Sequence, residues 1–198
     1  MKSLFKQSAK GRVRAHTVFD FGATDVSSWR PVTQFKHNLV VYQWATIVAK
    51  LLSTGDSRYR IGGMYLEFEN TDNPGDTVSP PVFDRTRDIS YYNSLSLSSN
   101  RDYLRVPMTA VTTSSEGSGL TDNQLTFFAR SSGIVGVHGK SFSAASNSVI
   151  FGGSLVAFVD GTDATQDLIY SSWYYDPADQ QQKLPSSQIG IEWEITLE

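Results

Sequence analysis

The chain has 198 residues, a formal net charge of −3 and 12% aromatic side chains. That length fits one domain with a substantial core, and so small a charge imbalance does not imply general affinity for nucleic acid or an anionic membrane. There is no cysteine, which rules out a disulfide framework and a thiolate site.

The chain starts basic. Lys2, Lys6, Lys10, Arg12 and Arg14 are five of its 17 basic residues, and no acid precedes Asp20. With little apolar content before Val18-Phe19, residues 1–15 read as an extended basic arm. Such an arm is either a solvated terminus or a reach toward a neighbouring subunit or nucleic acid. Residues 16–198 read as a single β-rich domain. The cations are followed by no apolar stretch, so a signal peptide is not expected and synthesis in the cytoplasm is.

Residues 38–52, "NLVVYQWATIVAKLL", form the most apolar run. Gln43, Thr46, Lys50 and then Ser53 fall on one stripe of a helix while Leu39, Val40, Trp44, Ile47, Val48, Leu51 and Leu52 cover the rest. The pattern predicts a packed helix over about 38–53, with Asn38 as N-cap and Gly55 as its stop. Fifteen residues rise only about 22 Å, short of the roughly 20 apolar residues a bilayer needs. A helix apolar on nearly all sides is covered by protein on nearly all sides; a pair of buried strands is the rival assignment.

Strands follow. "IGGMYLEFE" (61–69) alternates Met64, Leu66 and Phe68 with Tyr65, Glu67 and Glu69. Further strands are predicted at 104–113, where Pro107 marks an edge or bulge, and at 124–130, 133–139, 148–160 and 167–175. Gly152-Gly153 bends or breaks the fifth of these six. The last segment, "QIGIEWEITLE", sets Ile189, Ile191, Trp193, Ile195 and Leu197 against Glu192, Glu194, Thr196 and Glu198, the pattern of a half-buried antiparallel strand. "TRDISYYNSLSLSSNRDY" is ambiguous and accommodates a short helix near 88–95. Polar loops are expected at 70–81, 114–123, 160–166 and 176–187. The sum is a mainly β fold: an antiparallel β-sandwich or jelly-roll-like single domain with one packed α-helix near residues 38–53.

Several stretches resemble chemistry and fail on spacing. "GIVGVHGKS" (133–141) has five residues between Gly133 and Gly139-Lys140-Ser141, one more than a phosphate-cradling loop allows, and no helix follows. Gly55-Asp56-Ser57 lacks the histidine base near a C-terminal aspartate that esterase chemistry needs, since the last histidine is His138. His16, His37 and His138 stand far apart without companions at zinc-ligand spacing. Glu69, Asp72 and Asp76, and Asp160, Asp163 and Asp167, suit ordinary turns better than a calcium loop. Glu192 and Glu194 lie about 7 Å apart on one strand face, near glycosidase separations, but read as an exposed charge row that discourages edge pairing. "YSSWYYDP" offers Tyr170, Trp173, Tyr174 and Tyr175, which suit core, a subunit interface or a stacking platform for a glycan. No catalytic residue, metal or cofactor is expected.

"RYRIGGMYLEFENTDNPGD" (58–76) and "RDYLRVPMTAV" (101–111) resemble small structural proteins of tailed-bacteriophage virions. That resemblance implies a non-enzymatic virion component of tail, neck or capsid surface, made in the host cytoplasm. Its partners would be further copies of itself and other virion proteins; the resemblance assigns no contact residue, and the basic arm, read from its own charge, offers Lys2, Lys6, Lys10, Arg12 and Arg14. The alternative is a glycan-binding module of a fibre or adhesin, using the aromatics at 170–175.

Overall fold

The computed structural model describes residues 9–18, 25–70, 85–115, 122–131, 134–175, 180–185 and 188–197. Its elements in chain order are β1 (Ala9–Val18), β2 (Arg30–Pro31), β3 (Lys36–His37), β4 (Leu39–Val40), α1 (Gln43–Thr54), β5 (Gly63–Asn70), α2 (Ile89–Ser94) and β6 (Arg101–Ser114). Then come β7 (Gln124–Arg130), β8 (Ser148–Ala157), β9 (Leu168–Tyr174), β10 (Gln181–Gln182) and β11 (Gln188–Leu197). The fold is mostly β, a single curled antiparallel sheet with two short helices, as the alternation predicts.

The strand order is β2-β1-β11-β7-β6-β5-β8-β9-β4. The sheet then closes on itself, because one five-residue segment serves both of its ends. Lys36–His37 pair with β1 and Leu39–Val40 pair with β9. Between them, the Asn38 N–H donates to Gly11 O at 3.1 Å and its Nδ2 to Ser171 Oγ at 3.0 Å. Closure removes the long open edges that would otherwise template association.

A second strand also changes partners. β6 pairs with β5 through Arg101–Pro107 and with β7 through Met108–Ser114, with a bulge between Met108 and Ala110. Pro107, which has no N–H to give, stands where one neighbour is exchanged for the other. The ring is thus folded at β6 and at Asn38 into two facing halves, one of β1, β11 and β7, the other of β5, β8 and β9.

The interior is apolar and layered. Val13, Trp193 and Phe127 lie side by side on β1, β11 and β7, and Met64, Leu66, Phe68, Leu104, Ile150 and Leu155 face them from the other half. β8 runs unbroken through Gly152-Gly153. Its bulge lies at Phe151, since Glu67 pairs with Gly152 and Phe68 with Ile150. A Cβ on Gly153 would stand 2.4 Å from the Trp173 ring, so the glycine is what lets that indole lie against the strand.

α1 differs from the expected all-round buried helix. Residues 39–40 of the apolar run are strand, Tyr42 takes the N-cap position without a side-chain bond, and Gly55 ends the helix at φ +64° as expected. Ile47 alone is fully buried and joins the interior cluster, flanked by half-buried Trp44 and Val48, while Leu52 is 81% exposed. The stripe that faces the barrel is Gln43, Trp44, Ile47, Val48 and Leu51, and Gln43 is in it because its Oε1 accepts the Ile169 N–H at 2.8 Å. The predicted strand at 133–139 is also corrected. Its described part is a loop held by one bridge, Val135 to Ser141.

A second, smaller core covers the outer face of β5, β6 and β8. There Tyr65, Tyr103 and Val156 meet Tyr92 of α2 and Leu95 of the following 3-10 turn. Trp29 covers the outer face of the other half. It packs edge-on to His16 and Phe128 at 5.8 and 5.7 Å, directly over Gly190, where any side chain would collide with its ring.

Candidate functional site

Five carboxylates are buried among the described residues: Glu67, Asp102, Asp167, Glu192 and Glu194. Each would be costly without partners, and each has them.

Glu67 is fully buried on the outward face of β5. It accepts from Arg87 at 3.0 Å and from the hydroxyls of Tyr91, Tyr92 and Tyr174 at 2.8, 2.7 and 3.2 Å. The Arg87 guanidinium lies between the rings of Tyr91 and Tyr174, 3.6 and 4.6 Å from their centroids. Burial pushes the Glu67 carboxyl above its ordinary range, and Arg87 and the phenol donors pull against that. The Tyr92 hydroxyl also reaches Ser154, which bonds Ser172 at 2.6 Å. This network bolts the 85–97 segment onto the barrel wall.

Asp102 explains the glycine-rich loop. Its carboxylate accepts the N–H groups of Tyr103, His138 and Lys140 at 2.8, 3.0 and 3.0 Å. Residues 136–140 therefore cradle an anion with their backbone, as a phosphate loop does, but the anion is the chain's own. Gly136 is required for the approach, since a Cβ there would stand 2.3 Å from Asp102 Oδ2.

Asp167 receives Tyr65 OH at 2.5 Å and Arg105 Nε at 2.7 Å. Arg105 also donates to the carbonyl oxygens of Gly161 and Asp160 and lies over Phe158. These bonds tie down the 160–167 loop. Asp160 and Asp163 form local turns with Thr162 and Thr165. Among the described residues no three His, Asp or Glu side chains gather as metal ligands; Asp72 and Asp76 lie outside those residues.

Glu192 and Glu194 are not an exposed row on an edge. β11 lies between β1 and β7, and they are 6% and 8% exposed. Arg14 and His16 reach Glu192 at 2.6 and 2.7 Å, Arg12 reaches Glu194, and both guanidinium groups lie over the Phe35 ring. Burial works to raise the Glu192 carboxyl, but its bonds to His16 and Arg14 prevail and hold it below the usual range.

The predicted contact residues are thereby redistributed. β1 begins at Ala9, so Lys10, Arg12 and Arg14 belong to the sheet and not to a separate arm; Lys2 and Lys6 lie outside the described residues. Tyr170, Trp173 and Tyr175 are 2%, 0% and 4% exposed, and half-buried Tyr174 serves Glu67, so the four present no stacking platform.

A cleft opens at the barrel seam. Where segment 36–40 passes from β1 to β9 a cleft of about 500 Å³ forms, lined by Lys10, Gly11, residues 37–42, Trp44, Ala45 and Arg85. Sequence reading did not find it, because Lys10, His37 and Arg85 are brought together only by closure. Comparison with protein-family models, curated proteins and solved structures finds no match.

Proposed function

We propose that the protein is a non-enzymatic building block of a larger particle, a structural component of a bacteriophage virion acting through contacts with copies of itself and with other virion proteins. One observation carries the reading. All five carboxylates buried among the described residues are engaged in holding strands and loops to the barrel, so these acids serve rigidity. The two stretches that resemble virion proteins contain β5 and most of β6, which pair with each other from Gly63–Pro107 to Glu69–Arg101. The segments so fastened expose apolar side chains, Ile134, Val135 and Val137 on one and Leu97 on another. Among the described residues no helix is long and apolar enough to cross a membrane.

The experiment is sedimentation velocity on the purified chain, alone and with the products of its neighbouring reading frames. Association that weakens when Ile134 and Val135 are both changed to Asp, at an unchanged thermal transition, supports the reading. A monomer that joins none of them sinks it.

A further inference from the structure

We propose that the seam cleft is a binding site for a small amphipathic anion, an aliphatic or aromatic body carrying one acidic group. The inference does not depend on the virion reading.

Three features argue for it. The chain carries 20 acidic against 17 basic residues, yet among the described residues lining the cleft none is acidic and three, Lys10, His37 and Arg85, are basic residues. They come from three separate segments, so their convergence follows from tertiary structure and not from a basic run. The remaining wall is apolar and aromatic: Leu39, Val40, Val41, Trp44 and Ala45, with Tyr42 67% exposed. Trp44 is held edge-on to Tyr170 at 5.1 Å, and the Tyr42 N–H donates to Arg85 O at 2.9 Å, which sets Arg85 at the head of α1. A volume near 500 Å³ with mostly apolar walls and a few convergent polar groups is the usual form of a small-molecule site. Arg85 would orient the acidic group and the aromatic wall would hold the body.

The test titrates 8-anilinonaphthalene-1-sulfonate into the full chain, following probe emission and heat. One saturable site per chain is expected. Arg85→Glu, which reverses a charge, and Ala45→Trp, which fills the cleft and keeps every charge, should each weaken binding roughly tenfold or more without moving the thermal transition; either variant suffices if the other fails to fold. Hexanoate should displace the probe and inorganic phosphate at equal concentration should not. Non-saturable binding, or binding untouched by a folded variant, overturns the site. Displacement by phosphate as good as by hexanoate overturns the requirement for an apolar body.

Discussion

Trp173 and Trp193 meet edge to face in the interior, ring centroids 4.8 Å apart and planes at 89°. They belong to β9 and β11, strands in opposite halves of the curled sheet, so the pair is one place at which the halves touch. Replacing either by Ala removes a fully buried indole and should cost about 3–5 kcal/mol. The double-mutant cycle, read by urea denaturation, should show a coupling of about 0.5–1.5 kcal/mol from the ring pair. Strict additivity would mean that the two halves do not pack through these rings.

Glu67→Gln keeps the shape of the side chain and removes the charge that Arg87 faces. A buried pair broken on one side loses about 3–5 kcal/mol, and the guanidinium between Tyr91 and Tyr174 would be left uncompensated. Near-ultraviolet circular dichroism should change as well, because three tyrosine rings take their positions from the carboxylate. A loss below about 1 kcal/mol would fit a neutral hydrogen bond only and would show that Glu67 is protonated in the folded chain.

The pH dependence has a definite sign at Glu192. Its folded carboxyl titrates below the unfolded value of 4.5, so the stability it contributes is complete above that value and is lost as pH falls through the lower, folded one. Thermal midpoints measured downward from about pH 5 should fall, and Glu192→Gln should flatten that fall. An equally steep decline in the variant would assign acid sensitivity to other carboxylates.

Strict alternation in "QIGIEWEITLE" and "IGGMYLEFE" marks β11 and β5 and the face each turns to the apolar interior, but not that the glutamate faces are buried too. β1 was hidden by the same rule. Its inward residues are Val13 and Ala15, small side chains between Arg12, Arg14 and His16, and cations with no acid nearby in the sequence read as an arm. Those partners lie 176 to 182 residues away, beyond any local pattern. The aromatics at 170–175 misled for a related reason. β9 is covered on both faces, so alternation vanishes and a core strand takes on the composition of a binding platform. The seam cleft left no trace at all, since closure at Asn38 is a fact of register. What was legible was the periodicity of each strand; what was not was which strand each one lies beside.

The loop at 134–141 gives the sharpest local prediction. Asp102→Ala removes the acceptor shared by the N–H groups of Tyr103, His138 and Lys140, and each unsatisfied buried donor costs about 1–3 kcal/mol. Two of those donors are on the loop, and it can swing outward to regain water, so the loss should be concentrated there. Hydrogen exchange at the His138 and Lys140 amides should accelerate strongly while the Ile191 and Trp193 amides of β11 remain protected. Gly136→Ala should act in the same way, since its Cβ would stand 2.3 Å from Asp102 Oδ2 and 2.4 Å from Cγ. Lys140 Nζ also bonds Leu95 O, and the His138 ring bonds Tyr92 O. The α2 turn should therefore loosen together with the loop. Faster exchange across all strands alike would mean that Asp102 supports the whole barrel and that the loop is not an independent clasp.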